Sequence, residues 1–110
     1  MGKAENVRRG RNNKRRGANY ERELVQGFAQ YGIKAKKVPL SGGTDFQKND
    51  ILVWANFPPQ TVYEGEAKRR KALPKFFTEA LDGADFAAFR QDHGETLIVL
   101  RLKTFAELLQ

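Results

Sequence analysis

Between residues 18 and 31 the apolar positions recur at helical spacing: Leu24, Val25 and Phe28 make one stripe, and Gly32 follows as a stop. That spacing predicts a first helix. Residues 33–38 read as a short strand ended by Pro39. LSGGTDFQKN (40–49) reads as a loop in which Gly42 and Gly43 admit backbone conformations closed to other residues. DILVWA (50–55) is a strand of the buried type, NFPPQ (56–60) a turn, and TVYEGEAK (61–68) alternates as a strand does. Pro74 suits a helix start, and Phe76, Phe77, Ala80, Leu81, Ala84 and Ala88 carry the helical spacing to about Gln91. TLIVLRL (96–102) is the most apolar strand, and Thr104 with Glu107 forms a T-x-x-E capping box for a short last helix.

The expected order is α-β-β-β-α-β-α. The first three strands suit a meander, and the helix before the last strand suits a right-handed crossover. The expectation is an α/β fold with one central mixed β-sheet flanked by helices.

A length of 110 residues suffices for one domain with a modest core. No run nears the roughly 20 apolar residues of a membrane span, and the basic N-terminus lacks the apolar segment of a signal peptide. Without cysteine there is no disulfide framework, thiol nucleophile or Cys-ligated zinc. A reducing compartment is expected: the cytoplasm, or the host cytoplasm if the chain is viral.

Charge then divides the chain. Residues 1–16 hold Lys3, Arg8, Arg9, Arg11, Lys14, Arg15 and Arg16 against Glu5, a net +6, whereas the rest carries 13 basic and 12 acidic side chains, a net +1. An arm of this composition cannot bury a core, and its cations suit a polyanion, because neutralised phosphates release counterions. A solubilising tail is the plainer alternative. The expected organisation is a basic flexible arm, 1–16, before a single domain, 17–110.

Along 61–68, residues two apart share a face, so Glu64, Glu66 and Lys68 point one way while Tyr63, Gly65 and Ala67 point the other. Alone, this is an ordinary solvent-facing charge ladder. Asp50, at the mouth of the adjacent apolar strand, adds a second carboxylate. Glu21 adds a third: at 100° per residue it lies about 60° from Leu24, 40° from Val25 and 20° from Phe28, so it sits on the core-facing stripe. A charged group there needs a partner, such as a metal or an arginine, unless the helix end still reaches water. Three inward acids, a lysine and a Gly loop suit hard-cation chemistry on phosphate, with Mg²⁺ taking carboxylate, water and phosphate oxygens. Asp45 competes with Asp50, and Glu64 is a candidate accessory acid. His93, the one histidine, reads as a turn residue, which excludes histidine–metal nuclease sites.

Asp50 followed by Glu66-Ala67-Lys68 resembles the D…(D/E)-x-K motif of the restriction-endonuclease-like, PD-(D/E)XK, nuclease superfamily. RRGANYERELVQGFAQYGIKAKKV (15–38) is similar to the opening of the archaeal-type (Hjc-like) Holliday junction resolvases. There an R-x-G-x-x-x-E-R-E-L-like helix precedes a Gly-bounded strand, a Ser/Gly loop and the motif Asp. The likeness spans about 14–103 and keeps Arg15, Gly17, Glu21, Arg22, Glu23, Leu24, Ser41, Asp50, Glu66 and Lys68. Here, however, no Pro precedes the motif Asp.

The resemblance implies a restriction-endonuclease-like core and a Mg²⁺-dependent endonuclease, Mn²⁺ substituting, that resolves four-way DNA junctions by paired nicks as a homodimer. It implies that Asp50, Glu66 and the Ala67 carbonyl bind the ion, that Glu21 completes the acidic cluster, and that Lys68 orients the water nucleophile. Arg15, Arg16, Arg22, Ser41, Arg69, Arg70 and Lys71, with Arg8, Arg9, Arg11 and Lys14 of the arm, would meet DNA. Two alternatives stay open: a nicking or repair endonuclease on other branched DNA, and a non-catalytic DNA-binding module.

Overall fold

The computed structural model describes residues 19–38 and 50–110, so the arm, Ser41 and Asp45 lie outside the described residues. The fold is mixed α/β. Its elements are α1 (19–30), β1 (Ala35–Lys37), β2 (Ile51–Trp54), β3 (Val62–Gly65), α2 (Lys75–Leu81), β4 (Phe86–Phe89), β5 (Leu97–Leu100) and α3 (Leu102–Leu108).

Helix α1 ends where Gly32 takes φ +73. The Gly32 N–H donates to the Ala29 carbonyl and the Ile33 N–H to the Phe28 carbonyl, both at 3.0 Å. This reversal brings Ile33 back beside Phe28, and both are buried. The chain then enters an antiparallel meander in the order β1-β2-β3, as the sequence predicts. Ala35 pairs with Val53 and Val53 with Tyr63; Lys37 pairs with Ile51 and Ile51 with Gly65. These residues share the inner face.

Ile51 and Val53 of the middle strand, with Ala55 just past it, form the core with Phe28, Ile33, Ala106 and Leu109. The Phe28 and Phe105 rings meet edge-on at 6.0 Å. Where the two helices approach, a Cβ on Gly27 would lie 2.7 Å from Leu102 Cδ2, so glycine allows the contact. The C-terminal helix is also held by its backbone: the Asn56 N–H donates to the Leu109 carbonyl at 2.8 Å.

Three expectations are corrected. The helix expected from Pro74 to Gln91 stops at Leu81, and residues 86–89 form a strand antiparallel to β5. Gly83, at φ +71, makes the turn, and the Arg101 guanidinium donates to the Leu81 and Ala84 carbonyls exposed by the helix end. The order is therefore α-β-β-β-α-β-β-α. In place of one central mixed sheet, the described residues form a three-stranded and a two-stranded sheet, both antiparallel, because the last strand pairs with its hairpin neighbour. Thr104 caps nothing: α3 begins at Leu102 with Arg101 at its N-cap and no side-chain cap, since the chain turns helical at once to pack Leu102 on the core.

His93 takes φ 62 in the hairpin turn, as befits a turn residue. No helix among the described residues is long and apolar enough to cross a membrane.

The Gly83 turn yields a prediction whose sign separates the two readings of 74–91. Nothing lies within 4 Å of a Cβ built on Gly83, so Gly83→Ala meets only backbone strain and should destabilise by about 1 kcal/mol in urea unfolding. Within a helix the same change would stabilise by about 1 kcal/mol.

Candidate active site

The site is built where β2 and β3 meet the end of α1. Asp50 precedes β2 but continues its ladder: the Val38 N–H donates to the Asp50 carbonyl at 3.0 Å, and the Asp50 N–H donates to the Gly65 carbonyl at 2.9 Å. β3 ends at Gly65, which leaves the buried Ala67 N–H without a strand partner. Asp50 supplies one, its Oδ2 accepting from Ala67 at 3.0 Å. The contact sets a carboxylate against the Glu66–Ala67–Lys68 segment, the adjacency the sequence predicts for strands 50–55 and 61–68.

Glu66 and Lys68 lie past the strand end and are exposed. Both line a cavity of about 630 Å³ whose other walls include Tyr20 and Leu24 of α1, Tyr63 of β3 and Ile98 and Leu100 of β5. The acid and the lysine therefore open onto one space, although strand alternation does not carry them there.

Glu21 is buried at 8% exposure, as its place on the apolar stripe of α1 predicts. Among the described residues its partner is a lysine and not an arginine. Lys37 Nζ lies 3.5 Å from its Oε2. The sequence signal for this pair is alternation: Ile33, Ala35 and Lys37 fall on one face, so Lys37 points at α1. The pair sits at the Asp50 end of the sheet, because Val38, next in the chain, bonds to Asp50.

The three acids thus share one end of the fold, yet no group of three His, Cys, Asp or Glu side chains among the described residues is close enough to hold a metal ion. The Asp50 carboxylate meets the Ala67 N–H, and Glu66 and the Ala67 carbonyl belong to the same short segment. The two carboxylates and the carbonyl are all hard oxygen donors and fit a Mg²⁺-type ion in kind, since that ion uses few protein ligands and keeps several waters.

Arg22, Arg69, Arg70 and Lys71 are exposed. Arg22 lines a groove of about 350 Å³ with Val25, Gln26, Ala35, Lys36 and Lys37. Arg8, Arg9, Arg11, Lys14, Arg15, Arg16 and Ser41 lie outside the described residues.

A family model for archaeal Holliday junction resolvases (Hjc) matches residues 12–109, and the chain belongs to that family. No curated protein and no solved structure matches it. Members of the family are Holliday junction-resolving endonucleases, generally metal-dependent, and the family implies a restriction-endonuclease-like fold and a branched DNA substrate.

Proposed function

We propose that this endonuclease resolves four-way DNA junctions by paired nicks, and that Asp50, Glu66 and Lys68 carry the chemistry. The observation that supports the assignment most is the Asp50–Ala67 hydrogen bond, which joins the two halves of the D…E-x-K pattern. Asp50, Glu66 and the Ala67 carbonyl would hold Mg²⁺, or Mn²⁺ in its place. When bound, the ion polarises the scissile phosphate and lowers the pKa of an attacking water. Ala67 holds the Asp50 carboxylate in one orientation. Lys68, open to the cavity, orients the water so that its oxygen bonds to phosphorus as the bond to the leaving sugar oxygen breaks. Glu21, paired with Lys37, acts as a positioning residue at this end of the sheet.

Arg22, Arg69, Arg70 and Lys71 grip the DNA backbone. The 1–16 arm, with Arg15 and Arg16, adds counterion-releasing contacts beside a single nuclease domain, 17–110, and Ser41 would meet DNA at the cut strand. Two nicks across a two-fold junction need two sites, so the enzyme acts as a homodimer. Exposed apolar side chains on the α2 side of the hairpin, away from the cavity, support a second copy: Phe76 and Leu97 are each more than half exposed. Nicking of other branched DNA is the close rival within the same chemistry. Family membership counts against a non-catalytic module.

Asp50→Asn should remove Mg²⁺-dependent cleavage of a labelled four-way junction, by about 10²-fold or more, while junction binding in Ca²⁺ persists. Cleavage retained by this variant would transfer the role to Asp45. Removal of residues 1–15 should weaken binding and flatten the plot of log affinity against log salt; an unchanged slope would reduce the arm to a tail. Equilibrium sedimentation should return twice the 12.5 kDa chain mass, and a single-chain mass at micromolar concentration would remove the homodimer.

A further inference from the structure

We propose that Trp54, flanked by Lys34 and Lys36 on the outer face of the three-stranded sheet, is a stacking platform for an unpaired nucleobase of the branched DNA. The proposal rests on the nuclease reading above but concerns residues outside the catalytic end. The register fixes the face: Lys36 pairs with Leu52 and Leu52 with Glu64, while Trp54 pairs with Val62, and these alternate away from Ile51 and Val53 of the core. The Trp54 N–H also donates to the Lys34 carbonyl at 2.9 Å, which places Lys34 beside it.

The indole is half-buried, while Lys34, Lys36 and Val62 are exposed. Core packing falls to the inner face, so it does not account for a tryptophan here. A cross-strand pair with Val62 would stabilise the hairpin end, but a smaller apolar side chain would serve that role. The cations are what point to DNA. Lys34 Nζ lies 4.7 Å from the centre of the indole ring, so the ring meets solvent through an ammonium group. Base–aromatic stacking outweighs an exposed cation–π contact, so an arriving base displaces the ammonium, which then meets the adjoining phosphate.

Two continuities extend the platform toward the site. Lys36 also lines the groove with Arg22 and Lys37, which brings cations to the β1 edge between α1 and the outer face. Asp50 and Trp54 are four residues apart on one strand and alternate onto the same face. That is a span of about 13 Å, or about four base steps at 3.4 Å per nucleotide.

Trp54 is the chain's one tryptophan, so its emission reports on this surface alone. The Asp50→Asn protein is titrated with a four-way junction, a single-stranded oligonucleotide and a blunt duplex, while anisotropy of labelled DNA measures binding independently. The platform requires quenching by the junction and the single strand but not by the duplex. Quenching by the duplex as well overturns it. Unchanged emission during demonstrated binding overturns it. Trp54→Leu should weaken single-strand affinity by about 5- to 150-fold and Trp54→Phe should recover most of that loss. Equal affinity of a folded Leu variant overturns the proposal, and if that variant does not fold the quenching result decides. Wild-type Mg²⁺-dependent nicking is scored separately: quenching without nicking removes the nuclease reading and keeps the platform, and nicking without quenching does the reverse.

Discussion

The Asp50 carboxylate and the Ala67 N–H meet at 3.0 Å, and the rest of the site depends on that contact. Asp50 is tied through its main chain to Val38 on one side and Gly65 on the other, so it belongs to all three strands of the sheet. Its side chain then accepts the donor that β3 leaves behind on ending. A buried N–H without an acceptor costs about 1–3 kcal/mol, so an apolar residue at position 50 would destabilise the strand exit as well as remove a carboxylate. Structure and chemistry ask for the same residue here. That hydrogen bond holds the Glu66–Lys68 segment next to Asp50.

Much of this was legible in the sequence. Periodicity found α1, its stop at Gly32 and the meander, because each follows from local spacing and a residue with unusual backbone freedom. The angular position of Glu21 correctly buried it, but the angle of one helix cannot name a partner on another element. Lys37 reaches Glu21 because β1 packs beside α1, a non-local contact. The stretch 74–91 failed for a different reason. Phe76, Phe77, Ala80, Leu81, Ala84 and Ala88 satisfy a helical period, yet Gly83 at φ +71 breaks it. Past that turn, FAAF is small and apolar enough to pair with LIVL as a strand. A short apolar run fits either period, and only the non-local partner decides. The capping box failed in the same way, since the packing of Leu102 set the helix start.

The two sheets divide the surface by chemistry. The three-stranded sheet carries the cations and the acids, with Lys34, Lys36, Lys37 and Asp50 at or near its faces. The β4–β5 hairpin is apolar on both faces: Phe89 packs against Phe76 and Phe77 at 5.4 and 5.3 Å, while Ile98 and Leu100 turn toward the cavity that Glu66 and Lys68 share. Such a division suits an enzyme whose substrate is a polyanion.

The central claim is that the Asp50–Ala67 contact marks the metal-binding point. Anomalous diffraction from crystals grown with Mn²⁺ tests it most directly. The account predicts a peak bonded to the Asp50 carboxylate, Glu66 and the Ala67 carbonyl. A peak held by Asp45 or Glu21, with Asp50 still only capping Ala67, would contradict it.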